Sequence, residues 1–371
     1  MHPQLARLKP TAVLDTYWRF AAERQALFFR RLRGDKAPWT TDPILQGFRF
    51  TNAYRASDRV SQYLIKKVIY REDLPSTPRE LFFRTVLFKL FNKVETWERI
   101  ERSLGAVTFD ACKTDRVEEL LSSTMARGGR IYSAAYIMPG DPRGGAKHRF
   151  HLRLLDKMVE DDLPQKIADA TEFRQVFELL RSYTGIGDFL AYQLATDLNY
   201  SPLINFEEAD LVIPGPGAID GLSKCFAGWE PRQKNGGDVI LRITDEQENA
   251  FERLGIDFQN LWGRRLQPID CQNLFCEVSK YSRVKHPEVT GVAGRTRIKQ
   301  HYRPATTAPD RPWYPPKWGI NQQIQQCSSD SQSLPLPQHG GVGLRPSMST
   351  VATPSLFGAE VHEHERVPAS G

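Results

Sequence analysis

Residues 179–200 read LLRSYTGIGDFLAYQLATDLNY, from Leu179 to Tyr200. An apolar helix end runs into Gly185-Ile186-Gly187, and a second helix leaves with Phe189, Leu190, Ala191 and Leu194 on one face. Two glycines one residue apart let the backbone turn tightly and keep side chains out of the way. Amide hydrogens at the start of the second helix then point outward, where they can meet an anion such as a phosphate.

This pattern has the form of a helix-hairpin-helix, a clamp that grips the DNA backbone without reading its sequence. It equally fits an ordinary helix–glycine turn–helix with no ligand, because short glycine motifs recur by chance. The flanking sequence is helical on both sides. Val13, Leu14, Tyr17, Trp18, Phe20, Ala21, Leu27 and Phe28 recur at helical spacing between Thr11 and Arg33, and Gly34 ends the run. Ser57 or Asp58 is placed to cap a helix holding Val60, Tyr63, Leu64, Val68 and Ile69. Thr77-Pro78 opens LFFRTVLFKLFN, apolar around most of its girth and therefore expected at the centre of the fold. Further helices are expected at 95–104, 114–125, 148–160, 171–182, from about 217, 245–254, 258–264 and 270–283. Residues 130–138 fit either a short strand or a core segment. From about Pro304 the chain turns to Pro, Ser, Gln, Gly and Thr with no periodicity. The expected organisation is one helical domain over residues 10–303 and a disordered tail over 304–371.

The whole sequence has 371 residues, 40% of them hydrophobic, and a formal net charge of +6. The length can bury a real core, and the modest positive balance permits a polyanionic partner without requiring one. The cysteines Cys112, Cys225, Cys271, Cys276 and Cys327 are scattered and form no CxxC pair, and the histidines lack ligand spacing. No metal site and no cofactor are expected, and free thiols suit an intracellular setting, the nucleus for a eukaryotic source and otherwise the cytoplasm. No signal peptide or membrane span is legible. His148 and His151 read as surface residues.

Four groups of residues can carry chemistry. The carboxylates Glu207, Glu208 and Asp210 follow the bend by about twenty residues, at the mouth of a loop. A hairpin that grips phosphates can bring such an acid toward an extruded base, and Asp210, then Glu207, has the best placing; loop carboxylates in water are the alternative. Pro214 to Gly221, followed by Lys224, is glycine-rich but fails the P-loop spacing, so a kinked helix start is expected there. Arg55 and Arg59, one helical turn apart, can hold a phosphate or pair with Asp42 and Asp58. Asn273, Glu277 and Tyr281 share a helix face, with Glu277 either a general base or the partner of an arginine from the first helices.

Several stretches in order, PWTTDPIL, FRFTNAYRASDRVSQYLI, LFFRTVLFKLFNKVETWE, GIGDFLAYQLATDLNYS, DLVIPGPGAIDGLSKCF and QNLFCEVSKY, resemble the 5-hydroxymethyluracil DNA kinase helical-domain family. That family is grouped with the α-glutamyl/putrescinyl thymine pyrophosphorylases of phage DNA hypermodification, and the resemblance spans about residues 15–285. It implies a mostly α, helix-hairpin-helix, DNA-glycosylase-like fold and action on a modified thymine in DNA by group transfer, with a small amine or amino acid as a possible co-substrate. A protein of this kind needs cations for a pyrophosphate leaving group and a carboxylate to take a proton. The resemblance offers Arg55, Arg59 and Lys224, with Gly185 and Gly187 on the DNA backbone, for the first need. It offers Asp210, Glu277 or Glu207 for the second. The chain shows no nucleotide-binding module for a kinase step. Monofunctional base excision and non-catalytic recognition of modified DNA are the alternatives. Strand cleavage through a Schiff base is disfavoured, because Phe189 stands where bifunctional glycosylases carry lysine.

Overall fold

The structure, a computed structural model, describes residues 8–134, 138–303 and 310–326. Within these, fifteen α-helices carry the fold, and the only paired strands are Lys9–Pro10 against Phe226–Ala227. Helix α1, Ala12–Arg33, starts where the Thr11 hydroxyl accepts the Val13 amide, and ends at Gly34 with φ 80°. Short α2, Pro43–Gly47, is capped by the Asp42 carboxylate. Residues Arg55–Ser57 form a 3-10 turn, followed by α3, Arg59–Tyr63, and a π-helical turn, Leu64–Ile69. The helix expected here runs unbroken over 59–69 with a π-helical second half, but the Asp58 carboxylate binds the Asn52 amide instead of capping it.

Helix α4, Pro78–Phe91, is buried along almost its whole length, as its uniformly apolar sequence predicts. Around it lie α5, Val94–Leu104, α6, Thr114–Ala126, α7, Lys147–Glu160, and α8, Leu163–Ala168. Then come α9, Phe173–Arg181, α10, Asp188–Asn199, and α11, Pro216–Cys225. Next are α12, Gly236–Asp245, α13, Gln247–Arg253, and α14, Pro268–Lys285, with α15, Asn321–Gln326, last. The helix expected at 258–264 is instead a tight turn bridging Leu261 and Arg264. Residues 130–134 belong to no strand or helix; Ile131 is buried there, and 135–137 lie outside the described residues.

Helices α11 and α14 are the closest pair. A Cβ added at Gly221 would lie 2.1 Å from the Phe275 carbonyl oxygen, and one at Gly217 2.2 Å from the Cys276 sulfur. The glycine-rich stretch 214–221 therefore serves backbone-to-backbone helix packing. Two sequence readings are corrected by burial. His148 and His151 are inside, bonded to Ser122 and Tyr132. Residues 310–326, assigned above to the tail, pack on the core: Tyr314 is fully buried and its hydroxyl pairs with Ser57 at 2.8 Å. The rest of the expected tail, 304–309 and 327–371, lies outside the described residues.

Gly221→Ala is expected to destabilise the chain by roughly 2 kcal/mol or more in denaturant unfolding, because backbone cannot yield cheaply to an added methyl group. Gly47→Ala, where an added Cβ meets nothing within 4 Å, should stay within about 0.5 kcal/mol of the parent.

Candidate functional site: buried acids around residues 51–58

Residues 51–58, TNAYRASD, cross the molecule without forming a helix long enough to satisfy their own backbone. Side chains from distant helices supply the missing partners. The Thr51 amide donates to Glu277 Oε2 at 3.0 Å, and the Thr51 hydroxyl accepts from Asn273 at 3.0 Å. The Asn52 amide donates to Asp58 Oδ1 at 2.8 Å, and the Arg55 amide donates to Asp270 Oδ1 at 2.7 Å. Arg24 of α1 donates to the Thr51 carbonyl at 2.8 Å and to Asn52 Oδ1 at 3.1 Å.

The Arg55 side chain turns inward. Its Nη1 donates to Asp197 Oδ1 at 2.8 Å and to the Tyr200 hydroxyl at 3.0 Å, both on or just after α10. Asp197 is completely buried and takes a second cation, Lys89 of α4, at 3.2 Å. Beside this pair lies a cavity of about 10 Å³, lined by Tyr54, Tyr200, Glu208, Arg264, Asp270 and Trp318 among others. That is room for about one water. Glu208 is 4% exposed, and its Oε1 is 3.6 Å from Arg264. Its Oε2 and the Tyr192 hydroxyl have no hydrogen-bond partner among the described residues. Trp318 roofs the cavity, with the Arg264 guanidinium 3.9 Å from its ring centroid. Lys317 beside it donates to the carbonyls of Ser201 and Ile204.

Burial sets the protonation of this region. It pushes Asp270 up to about 7 against the pull of two backbone N–H donors, from Gln267 and Arg55. It pushes Asp58 up to about 7 against the Asn52 amide. Glu208 is raised by burial, with Arg264 and Arg55 opposing. Lys317 is lowered to about 8 by burial, with Glu208 opposing. The cluster therefore holds carboxyl groups that change charge near neutrality, a property concentrated at functional sites and also found in structural networks.

The residues singled out from sequence divide sharply. Arg55 is buried on Asp197, whereas Arg59 is exposed, 4.0 Å from Glu95, so the two share no phosphate-binding face. Lys224 is 1% exposed and donates to the Ser279 carbonyl at 2.9 Å, out of reach of any phosphate. Glu277 is also buried, held by the Thr51 amide and by Lys280 at 2.7 Å, so it serves as a structural acceptor. Its partners are not the expected arginine. Glu207 and Asp210 are exposed, and the acid that enters the interior is their neighbour Glu208. The sequence reading ranked Asp210 first and Glu207 second by their distance from the bend, but no helical period there marks which of the three turns inward.

The bend itself is as read: Gly185 has φ 91°, Gly187 is exposed and starts α10, and Ile186 is buried as its anchor. Its amides are only partly free, because Ile186 N–H donates to Tyr183 O at 3.0 Å, and Asp188 pairs with Arg181. The carboxylates are not beside it. Arg174, at the opposite end of the α9–α10 pair, donates to the Asp210 carbonyl at 3.1 Å. A twelve-residue α10 puts about 18 Å between the bend and the acid cluster. What returns to the bend is the Gly215 loop, against Phe189.

Two comparisons place this architecture. Residues 11–291 match the family described as 5-hmdU DNA kinase, helical domain, and the chain belongs to that family. One relative is the 5-hmdU DNA kinase of Bacillus phage SP10, 25% identical over 288 residues, which cover 72% of this chain and 44% of the relative. The chain thus spans less than half the length of that protein. No solved structure matches the chain. Among the described residues there is no group of side chains suited to hold a metal ion, and no helix long and apolar enough to cross a membrane.

The raised carboxyl groups give a signed expectation. An unfolded Asp titrates near ~3.9, so between about pH 4 and 7 the native chain keeps protons that the unfolded chain has lost. Stability contributed by Asp58 and Asp270 is therefore highest below that window, falls as pH rises through it, and levels off above about 7. Unfolding free energies measured at pH 5 and pH 7.5 should fall less steeply in Asp58→Asn, which keeps an oxygen acceptor for the Asn52 amide. An unchanged slope would remove Asp58 from the account.

Proposed function

We propose that this helical domain binds DNA carrying a 5-hydroxymethylated pyrimidine and positions that hydroxymethyl group for transfer chemistry. The observation that carries the reading is the half-satisfied polar cavity inside a chain of this family. A buried carboxylate oxygen in its lining without a partner, Glu208 Oε2, calls for a polar ligand or ordered water. Its tyrosine lining suits the stacking of an extruded base.

The cavity of about 10 Å³ is far too small for a base. Entry of one therefore requires the Trp318 roof to swing away, leaving Arg264 as a flat cation on which the base can stack in its place. Glu208 is then the proton acceptor. As the hydroxymethyl oxygen forms its bond to the incoming electrophilic group, its O–H proton passes to Glu208, and the electron pair of the donor's broken bond leaves with the donor. Burial raises the affinity of Glu208 for a proton, which favours its taking one up. The relative's name makes a phosphoryl group the first candidate for the group transferred. The solvent-facing edge of the bend at Gly187 fits a contact with the DNA backbone flanking the base.

The test is direct. Duplex DNA with one 5-hydroxymethyluracil is incubated with the protein, with and without a nucleoside triphosphate, and its nucleosides are analysed by mass. A heavier thymine-derived nucleoside supports transfer, and an abasic site would replace the proposal by base excision. Binding that prefers the modified duplex with no product would leave recognition alone. Glu208→Gln should lower product formation on the order of a hundredfold or more while sparing DNA binding.

A further inference from the structure

We infer that residues 295–303 form a rail for a phosphodiester backbone. The sequence there reads RTRIKQHYR, so Arg295, Arg297, Lys299, His301 and Arg303 recur with a period of two. The segment contains no turn or bend between 295 and 300, and all five of these residues are exposed. Ile298, between two of them, is 7% exposed and turns the other way, into the core. In extended chain, successive side chains point to opposite sides, so the basic residues share one face.

The backbone of the rail is fixed at three places. Arg283 donates to the Arg297 carbonyl at 3.0 Å. The Arg49 amide donates to the Gln300 carbonyl at 2.9 Å, and the Tyr302 amide donates to the Gly47 carbonyl at 3.0 Å. Phe48 and His301 bridge these two segments, with their rings 5.1 Å apart, which adds an aromatic surface to the basic face. Arg295, Arg297, Lys299 and Arg303 form no ion pair among the described residues. Arg295 lies close enough to Arg283 to depress its proton affinity, after the larger effect of burial. Buried Asp220 and Glu277 offset part of this at Arg283, while the exposed cations of the row itself have no carboxylate paired to them among the described residues.

Such a row needs a partner that presents negative charge at regular intervals. From Arg295 to Arg303 the extended chain covers about 26 Å at ~3.3 Å per residue. A duplex strand presents one phosphate per ~3.4 Å of axis, so a row of this length runs past several phosphates. The far end of the rail, at Tyr302, sits within electrostatic reach of Arg24, which holds the 51–52 backbone. A strand on the rail is therefore led toward the segment that organises the acid cluster. The choice of DNA as the polyanion rests on the functional reading above; the row of unbalanced cations does not.

The experiment measures binding of an unmodified mixed-sequence duplex across a salt series, with the full chain and with the triple substitution Arg295→Gln, Arg297→Gln and Lys299→Gln. Removing three phosphate contacts should weaken binding on the order of a hundredfold at 0.1 M salt and flatten the log–log salt slope by about 2.7. The charge-keeping triple Arg295→Lys, Arg297→Lys and Lys299→Arg should bind within a few-fold of the parent, which separates loss of charge from loss of fold. Equal affinity and slope for the glutamine triple would overturn the rail. So would charge-dependent binding to vesicles rich in anionic lipid with no binding to DNA. Because the duplex is unmodified, the outcome is independent of the base pocket. A working rail with a failed pocket leaves unmodified and 5-hydroxymethyluracil duplexes bound equally, whereas a failed rail leaves any preference between them untouched.

Discussion

A buried arginine on a buried aspartate holds this molecule together around its cluster of buried acids. Arg55 reaches from an irregular segment to Asp197 on α10, and Lys89 on α4 meets the same carboxylate. Two cations and one anion, almost wholly removed from water, are costly to assemble and costly to break. They tie the central apolar helix to the segment 51–58, which has no regular structure of its own. Asp270 completes the arrangement from α14 by accepting the Arg55 amide. Three helices far apart in sequence are thereby locked to one stretch of chain.

The chemistry of the site follows from that lock. Burial leaves one carboxyl, Glu208, inside without full partners and raises its proton affinity, against the pull of Arg264, Arg55 and Lys317. The 310–326 strap closes the region from outside. Tyr314 is anchored to Ser57, Lys317 to two carbonyls after α10, and Trp318 lies over Arg264. The strap therefore touches the same segment that the buried charges hold. Under the proposed function, the position of this strap sets access to Glu208.

Much of the fold was legible because it rests on local rules. Thr11, Thr77-Pro78, Gly34 and Gly105 mark helix ends by capping and backbone freedom, and the all-apolar α4 announces its central place. The site was less legible, because burial is decided by tertiary packing. Arg55 and Arg59 look alike at helical spacing, yet a 3-10 turn ends between them and sends one inside and the other to solvent. Glu207, Glu208 and Asp210 differ only in which way the loop turns them. Trp313, Tyr314 and Trp318 were masked by the proline-rich composition around them, since the strap packs by a few aromatic anchors and has no helical period. The basic face at 295–303 carried a strand period that is plain once the chain is known to be extended there.

The Arg55–Asp197 interaction is the central contact, and a double-mutant cycle measures it. Unfolding free energies are needed for the parent, Arg55→Met, Asp197→Leu and the pair. Each single change leaves a charge stranded in the interior, so each should cost about 3–5 kcal/mol, and the double change should cost clearly less than their sum, by roughly 2 kcal/mol or more. Strictly additive losses would mean that the two side chains do not depend on each other, and the lock at the centre of this structure would be wrong.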